Sequence, residues 1–318
     1  MQLLFNQLYN KIYESNKILL VSHRNPDPDT IGSALAMGRF IKQLNKQVDY
    51  FCIDSLSSNL LFLEGAEQFT NNEDKFNDDY DLVIFLDCSE LSRSGVKNIE
   101  SYKKCFWVSI DHHINKEEGI DITLRDSNAS ATCEIVYDFL IFAKIDIGYQ
   151  ISTALLSGLM VDTNFLSNLA TNQKSIDITQ KLISNGADYR IILKNFYSNK
   201  NEEVLQIWGK VLSRLKHDKT KDLVTTVIFK NDLSGNKNVE EAVEGLSNFL
   251  NFTIKANMIM VLKEVPGGIR GSLRSNSDEV DISKIAENYG GGGHKRAAGF
   301  FYEGNIIEDV NEWKLEKR

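Results

Sequence analysis

Cys105-Phe106-Trp107-Val108-Ser109-Ile110-Asp111-His112-His113 is the stretch on which the reading of this chain turns. Its first six residues form a short apolar run, as expected of a strand buried in a parallel sheet. The run ends on a carboxylate and two imidazoles. Open α/β sheets hold their ligands beyond the carboxyl ends of the strands, and imidazole with carboxylate suits borderline and hard divalent metals. Alone, the triplet is equally compatible with solvated loop side chains, so the rest of the chain has to decide.

Upstream, Lys17–Ser22 reads as a first strand and leads into His23-Arg24-Asn25-Pro26-Asp27-Pro28-Asp29-Thr30. Two prolines predict that this segment is non-helical. Ile31–Phe40 then reads as a helix whose small residues allow close packing on a sheet. Val48–Ile53 is a second strand, and Asp81–Leu86 a third that ends at Asp87. Strands separated by helical patterns predict an α/β fold with a parallel, doubly wound sheet. Three of these strand ends carry metal-ligand residue types: His23, Asp27 and Asp29; Asp87; and Asp111, His112 and His113. Of the chain's five histidines, three lie at these ends. His217, in a basic stretch, reads as solvated.

Downstream, Ser127–Thr132 opens a helix predicted over Cys133–Phe142, where the hydroxyls read as N-caps and a phosphate-facing helix end is the alternative. Ile147–Met160 has helical apolar spacing and runs into Asp162. That residue reads either as a further ligand or as a polar turn residue. Residues 173–216 look helical, with a break at Asn185–Asp188. From 222 onward the texture changes: strands over Leu223–Phe229, Ala256–Val265 and Ile269–Ser275, helices over Val239–Leu250 and Asp281–Tyr289, and a turn at Gly267-Gly268. Gly290–Gly293 follows, then His294, Lys295 and Arg296. Successive glycines free the backbone for anion-binding geometries. With the hairpin arginines Arg270 and Arg274, the segment reads as a phosphate pocket, or else as a flexible loop beside a solvated basic patch.

The 318 residues suffice for two domains, expected over 1–195 and 219–318 with a connecting helix over 196–218. A formal charge of −8 argues against a protein that coats long nucleic acid. Four cysteines without CxxC spacing read as reduced thiols, favouring a cytoplasmic setting. Met1–Tyr13 reads as an amphipathic helix and not a signal peptide, and no apolar run approaches the roughly 20 residues of a membrane span.

Taken together, His23–Asp29, Asp87, Asp111-His112-His113, Asp162 and Gly290–Gly299 resemble the DHH phosphoesterases that carry a DHHA1 C-terminal domain, in the short stand-alone branch. The resemblance implies an N-terminal DHH domain, a smaller mixed α/β DHHA1 domain, and an active site in the cleft between them. It implies two Mn²⁺ ions, with Mg²⁺ or Co²⁺ as substitutes. His23 and Asp27 would hold one ion, Asp29, His112 and Asp162 the other, and Asp87 would bridge. Asp111 would orient His112 through its second ring nitrogen, and His113 would ligate or contact the scissile phosphate. Arg274 and His294 would grip a phosphate or terminal nucleotide, helped by Arg270, Gly292 and Gly293, with Lys295 and Arg296 nearby. One departure is Pro28, where relatives place a small residue. The implied reaction is hydrolysis of very short RNA or linear dinucleotides to 5′-mononucleotides, with 3′-phosphoadenosine-5′-phosphate (pAp) phosphatase activity beside it. A cyclic-dinucleotide-pathway phosphodiesterase, an inorganic pyrophosphatase and a non-catalytic nucleotide sensor are the alternatives. A homodimer is compatible with the resemblance; a membrane partner is not expected.

Overall fold

A computed structural model describes all residues except 114–118, 199–201, 234–244, 276, 278 and 318. The chain divides into two compact units, Met1–Asn199 and Lys200–Arg318.

The first unit is built on six parallel strands: β1 (Lys17–Ser22), β2 (Gln47–Phe51), β3 (Phe69–Thr70), β4 (Leu82–Leu86), β5 (Phe106–Asp111) and β6 (Ile122–Arg125), in the order β3-β2-β1-β4-β5-β6. The chain first builds outward from β1 on one side, then returns to add β4, β5 and β6 on the other. β1 and β4 therefore flank the point where the strand order reverses, where open sheets hold their ligands. Val21 pairs with Phe85, and Phe85 with Ser109, so the strand ends bearing His23, Asp87 and Asp111 lie side by side.

Side-chain alternation gives the sheet two buried faces. Ile18, Leu20, Leu82, Ile84, Leu86, Val108 and Ile110 join one core. Leu19, Val21, Val83, Phe85 and Trp107 join the other. The first core is covered by α1 (Gln2–Glu14), α2 (Pro28–Gln43), α3 (Thr132–Phe142), α4 (Tyr149–Asp162), α5 (Gln173–Ser184) and α6 (Tyr189–Leu193). The second is covered by residues of short 3₁₀ turns, such as Phe76, Leu91 and Ile99.

The segment predicted to stay non-helical through Thr30 does so only to Asp27. Pro28 opens α2 at a first-turn position, where its missing N–H and fixed φ are tolerated. Asp27 is the N-cap; its Oδ1 accepts from the Asp29 and Thr30 amides at 2.9 and 3.1 Å. The proline at 28 thus starts a helix and places Asp29 in its first turn. β3 and β6 were not expected; two and four residues long, they are too short to show an apolar period.

In the second unit, α7 (Glu202–Ser213) buries Val204, Ile207, Trp208 and Val211 with residues of β8 (Leu223–Ile228) and β9 (Met258–Val265). The helix expected over 196–218 is this shorter one; Lys216–Asp218 is strand β7. The sheet runs β11-β12-β10-β9-β8-β7, with β10 (Gly268–Arg274), β11 (Gly292–His294) and β12 (Ala297–Tyr302). Only β8 and β9 are parallel, so the sheet is mixed. Two helices, α8 (Leu246–Thr253) and α9 (Ile282–Glu287), and a ribbon of β13 (Gly304–Glu308) and β14 (Trp313–Lys317) complete the unit. The helix predicted over 239–250 lies outside the described residues up to 244.

Candidate metal centre

Three groups of side chains bring ligand atoms within 4.8 Å of one another: His23, Asp27 and Asp87; Asp29, His112 and Asp162; and Asp87, His112 and His113. They come from the ends of β1, β4 and β5, the first turn of α2 and the last residue of α4. The structure thus gathers all six residues expected as ligands, and His113 with them. Asp162 is part of a helix end facing this cluster and not of a solvated turn.

Asp87 joins two of the groups through different oxygens. Its Oδ2 lies 3.4 Å from His23 Nε2, and its Oδ1 lies 3.7 Å from His112 Nε2 and 3.3 Å from His113 Nδ1. Asp87 and Ser89 both have left-handed backbones, φ +58° and +54°. Such conformations cost non-glycine residues on the order of 1–3 kcal/mol each and persist where the surroundings over-determine them.

The tautomers of two histidines follow from their neighbours. His23 Nδ1 is 2.7 Å from the Arg24 carbonyl oxygen, which can only accept, so Nδ1 carries the proton. The Nε2 lone pair is buried without a hydrogen-bond donor and faces Asp87 Oδ2 and, at 3.6 Å, Asp27 Oδ2. His112 repeats this pattern: Nδ1 is 3.3 Å from the Ala129 carbonyl oxygen, and Nε2 is 3.3 Å from Asp162 Oδ2. A lone pair facing carboxylates is repulsive unless a proton or a cation lies between them. This donor set of imidazole nitrogen and carboxylate oxygen fits a divalent metal.

The electrostatics agree. Burial disfavours a charged His23, yet Asp27 and Asp87 outweigh it and lift the imidazole to about 10. His113 reaches about 10 against the same burial, through Asp111 and Asp87. Burial and then the Asp87 charge push Asp29 up to about 7. Asp162 is raised well above the ordinary range by burial, followed by Asp29, Asp27 and Asp87. Asp87 goes the other way: despite burial, the surrounding imidazoles hold it far below the ordinary carboxylate range, and Asp111 is likewise lowered against its burial by the His113 hydrogen bond. Without cations the cluster retains protons that cations would displace.

Asp111 differs from its expected role. Its Oδ1 accepts from His113, from both the backbone N and Nδ1 at 2.7 Å, and its Oδ2 accepts from the Ser89 amide. Asp111 therefore orients His113 and the turn after Asp87. His112 is oriented instead by the Ala129 carbonyl.

The hydroxyls before α3 differ as well. Ala131 is the N-cap and supplies no side-chain cap, while Ser130 Oγ donates to the Ala170 carbonyl at 2.7 Å. Asp29 does the capping from α2: its Oδ2 accepts from the Thr132 amide at 2.7 Å and its Oδ1 from the Cys133 amide at 2.8 Å. The anion at this helix end is a side chain of the protein, and Thr132 Oγ1 also donates to Asp87 Oδ1 at 2.9 Å. Sequence reasoning missed these contacts; the one readable signal was an alanine where a capping residue belongs. Arg125 was missed too. It pairs with Asp111 across β5 and β6, and its Nε and Nη2 are buried without a hydrogen-bond partner.

In the second unit, Gly292–His294 is strand β11 and not a free loop. Ala297 pairs with His294 on one side and with Arg274 on the other, so those two positions share a row across three strands. Gly293 has φ +143°, and a Cβ there would lie 2.5 Å from the Ala297 carbonyl oxygen, so its glycine is required by packing against β12; Gly292 faces open space. Arg274 Nε donates to Asn248 Oδ1 at 2.7 Å. Arg270 is exposed, further along β10.

Comparison with known proteins follows the same division. Residues 17–161 match the DHH family, N-terminal domain, and residues 220–313 match the DHHA1 domain. The bifunctional oligoribonuclease and PAP phosphatase NrnA of Thermus thermophilus is 26% identical over 299 residues, 94% of this chain and 88% of that protein. The cyclic-di-AMP phosphodiesterase GdpP of Geobacillus thermodenitrificans is 25% identical over 304 residues, 89% of this chain but 44% of that protein. The crystal structure of an exopolyphosphatase-related protein from Bacteroides fragilis superposes with a TM-score of 0.87 at 25% identity, covering 96% of this chain and 92% of that one. Two matched domains in order, around an aspartate and histidine cluster at the switch point of a parallel sheet, establish that the chain belongs to the DHH/DHHA1 family of metal-dependent phosphoesterases.

Proposed function

We propose that this chain is a manganese-dependent phosphodiesterase that hydrolyses very short oligoribonucleotides or linear dinucleotides to 5′-mononucleotides, with pAp 3′-phosphatase as a second activity. The observation that carries the reading is Asp87, whose two oxygens face two different ligand groups. A carboxylate so placed can bridge a pair of cations. Asp27, Asp29, Asp87 and Asp162 also supply four negative charges, which two divalent ions balance. His23 and Asp27 would hold one ion, and Asp29, His112 and Asp162 the other; Mg²⁺ or Co²⁺ would substitute for Mn²⁺. When bound, such a pair supplies a water nucleophile at neutral pH and stabilises the attacking and leaving oxygens of an in-line displacement.

The chain's own groups do the rest. Asp111 locks His113 in one orientation. So oriented, His113 would ligate a cation or contact the scissile phosphate in this reading. In the second unit, Arg274 and His294 hold a phosphate or the terminal nucleotide, with Arg270, Gly292 and Gly293 beside them. The net charge of −8 favours substrates of a few nucleotides over long tracts. The oligoribonuclease and PAP phosphatase activity of the NrnA relative supports the substrate class. Likeness to GdpP favours a second reading, a role in cyclic-dinucleotide turnover. The protein is expected to act in the cytoplasm. Among the described residues no helix is long and apolar enough to cross a membrane.

The test is a manganese assay across dinucleotides, 3- to 10-mers, cyclic dinucleotides, pAp and pyrophosphate. Release of 5′-mononucleotides from the shortest RNAs is expected. Turnover of pyrophosphate alone, or tight dinucleotide binding without turnover, overturns the proposal.

A further inference from the structure

We propose that Thr132 is a positioning residue that sets the separation of the two cations by holding Asp29 and Asp87 at once. The inference rests on the two-cation reading above. Asp29 sits in the first turn of α2, and Asp87 follows β4; the Thr30 hydroxyl donates to the Leu86 carbonyl at 2.7 Å and ties the two backbones, but it touches neither carboxylate. Thr132, the first residue of α3, touches both. Its amide donates to Asp29 Oδ2 at 2.7 Å, and its hydroxyl donates to Asp87 Oδ1 at 2.9 Å. The next amide, Cys133, fixes the other oxygen of Asp29 at 2.8 Å. Thr132 and Asp29 are fully buried and Asp87 is nearly so, so water does not compete for these bonds.

The contact is asymmetric. The hydroxyl engages Oδ1 of Asp87, the oxygen facing His112 and His113; Oδ2, facing His23, is untouched. Asp87 has a left-handed backbone at φ +58°, so the direction of its carboxylate depends on what grips it. A β-branched threonine, stiff about χ1, is a better anchor than a freely rotating serine. Loss of the hydroxyl therefore acts on the ion at Asp29, His112 and Asp162 and spares the one at His23 and Asp27. A purely structural residue predicts no such selectivity.

Thr132→Val keeps the shape and the backbone amide and puts a methyl where the hydroxyl was; Thr132→Ala, which removes the hydroxyl and the methyl together, serves if the valine variant does not fold. Titration of the metal-free protein with MnCl₂ by calorimetry is expected to show two ions in the wild type. In the variant, one should bind about 10–100-fold more weakly and the other within roughly threefold. The electron paramagnetic resonance spectrum at two equivalents of Mn²⁺ should lose its exchange-coupled component and gain the signal of a lone ion. Thr132→Ser, which restores the hydroxyl, should recover both readouts. Wild-type affinity at both sites in the valine or alanine variant, with or without a lower Tm, overturns the proposal, as does a serine variant that recovers nothing. Failure of the wild type to bind two ions identifies the two-cation reading as the faulty step, and the inference falls with it.

Discussion

Replacing Gly158 by alanine tests the seam between α2 and α4, on which Asp29 and Asp162 converge. A Cβ built at Gly158 lies 2.5 Å from Cys133 Sγ, 2.7 Å from Asp29 Oδ1 and 2.8 Å from Asp29 Cα. Carbon contacts are comfortable near 3.5–4.0 Å, so the seam must open by about 1 Å. Overpacking of this kind costs about 1–3 kcal/mol, while alanine returns about 1 kcal/mol of helix propensity. The net loss is about 0–2 kcal/mol, or a Tm lower by at most roughly 8 °C for a unit of this size. Cation binding should suffer far more, because the displaced helix carries Asp162 away from Asp29 and His112, its partners in one ligand group. A misplacement of about 1 Å is worth on the order of 100-fold in activity. Thermal melts and manganese titration calorimetry measure the two effects separately. Gly209→Ala is the control: a Cβ there meets nothing within 4 Å, and alanine at this exposed position of α7 should add about 1 kcal/mol with manganese binding unchanged. If Gly158→Ala melts and binds manganese like the wild type, the packing argument is wrong.

Asp87→Asn keeps the size of the side chain but removes the charge shared by the two ligand groups; manganese stoichiometry should drop below two, with turnover reduced by at least roughly 1,000-fold, and a calorimetric stoichiometry of two would contradict the bridge. The metal-free protein should lose stability as pH rises. Folded His23 and His113 hold protons to about 10, above the unfolded value near 6.5, so their contribution is complete below 6.5 and is lost on rising through 10. Asp29, lifted to about 7, contributes below its unfolded value near 3.9 and loses that on rising through 7. The depressed Asp87 opposes this only in strong acid. Melting temperature against pH should therefore fall from mildly acidic to alkaline pH, with added manganese raising Tm more at pH 8 than at pH 5.5; a flat metal-free profile contradicts the coupling. Arg274→Ala should raise KM for a dinucleotide about 10-fold and leave manganese affinity untouched; steady-state kinetics with calorimetry decides, and unchanged KM removes Arg274 from substrate recognition.

The long strands were legible because buried parallel strands are continuous apolar runs: Lys17–Ser22 is β1 to the residue, and β5 extends the predicted run only as far as Asp111. β3 and β6 were not, since their existence depends on partners and not on their own pattern. Pro28 was read as a helix breaker, although at the first turn proline is an initiator. The residues of the site were legible because strand topology dictates which loops meet. The contacts among them were not. Nothing in the order Asp111-His112-His113 says that Asp111 turns to the second imidazole, or that a carboxylate from α2 caps α3 in place of nearby hydroxyls. The glycine run had two readings, neither of them a strand, because its pairing with β12 is set by packing and not by composition.

The strand order also governs when this protein matures. β1, β2 and β3 can associate soon after they are made, but β1 meets β4 only when a much later segment is inserted at its other edge. Closing so long a loop is entropically slow, and until it happens His23 and Asp87 are on unconnected ribbons. A chain arrested before residue 87 carries two of the four ligand aspartates, Asp27 and Asp29, and none of the geometry. Affinity for cations should therefore emerge abruptly and late in refolding, coincident with insertion of that strand.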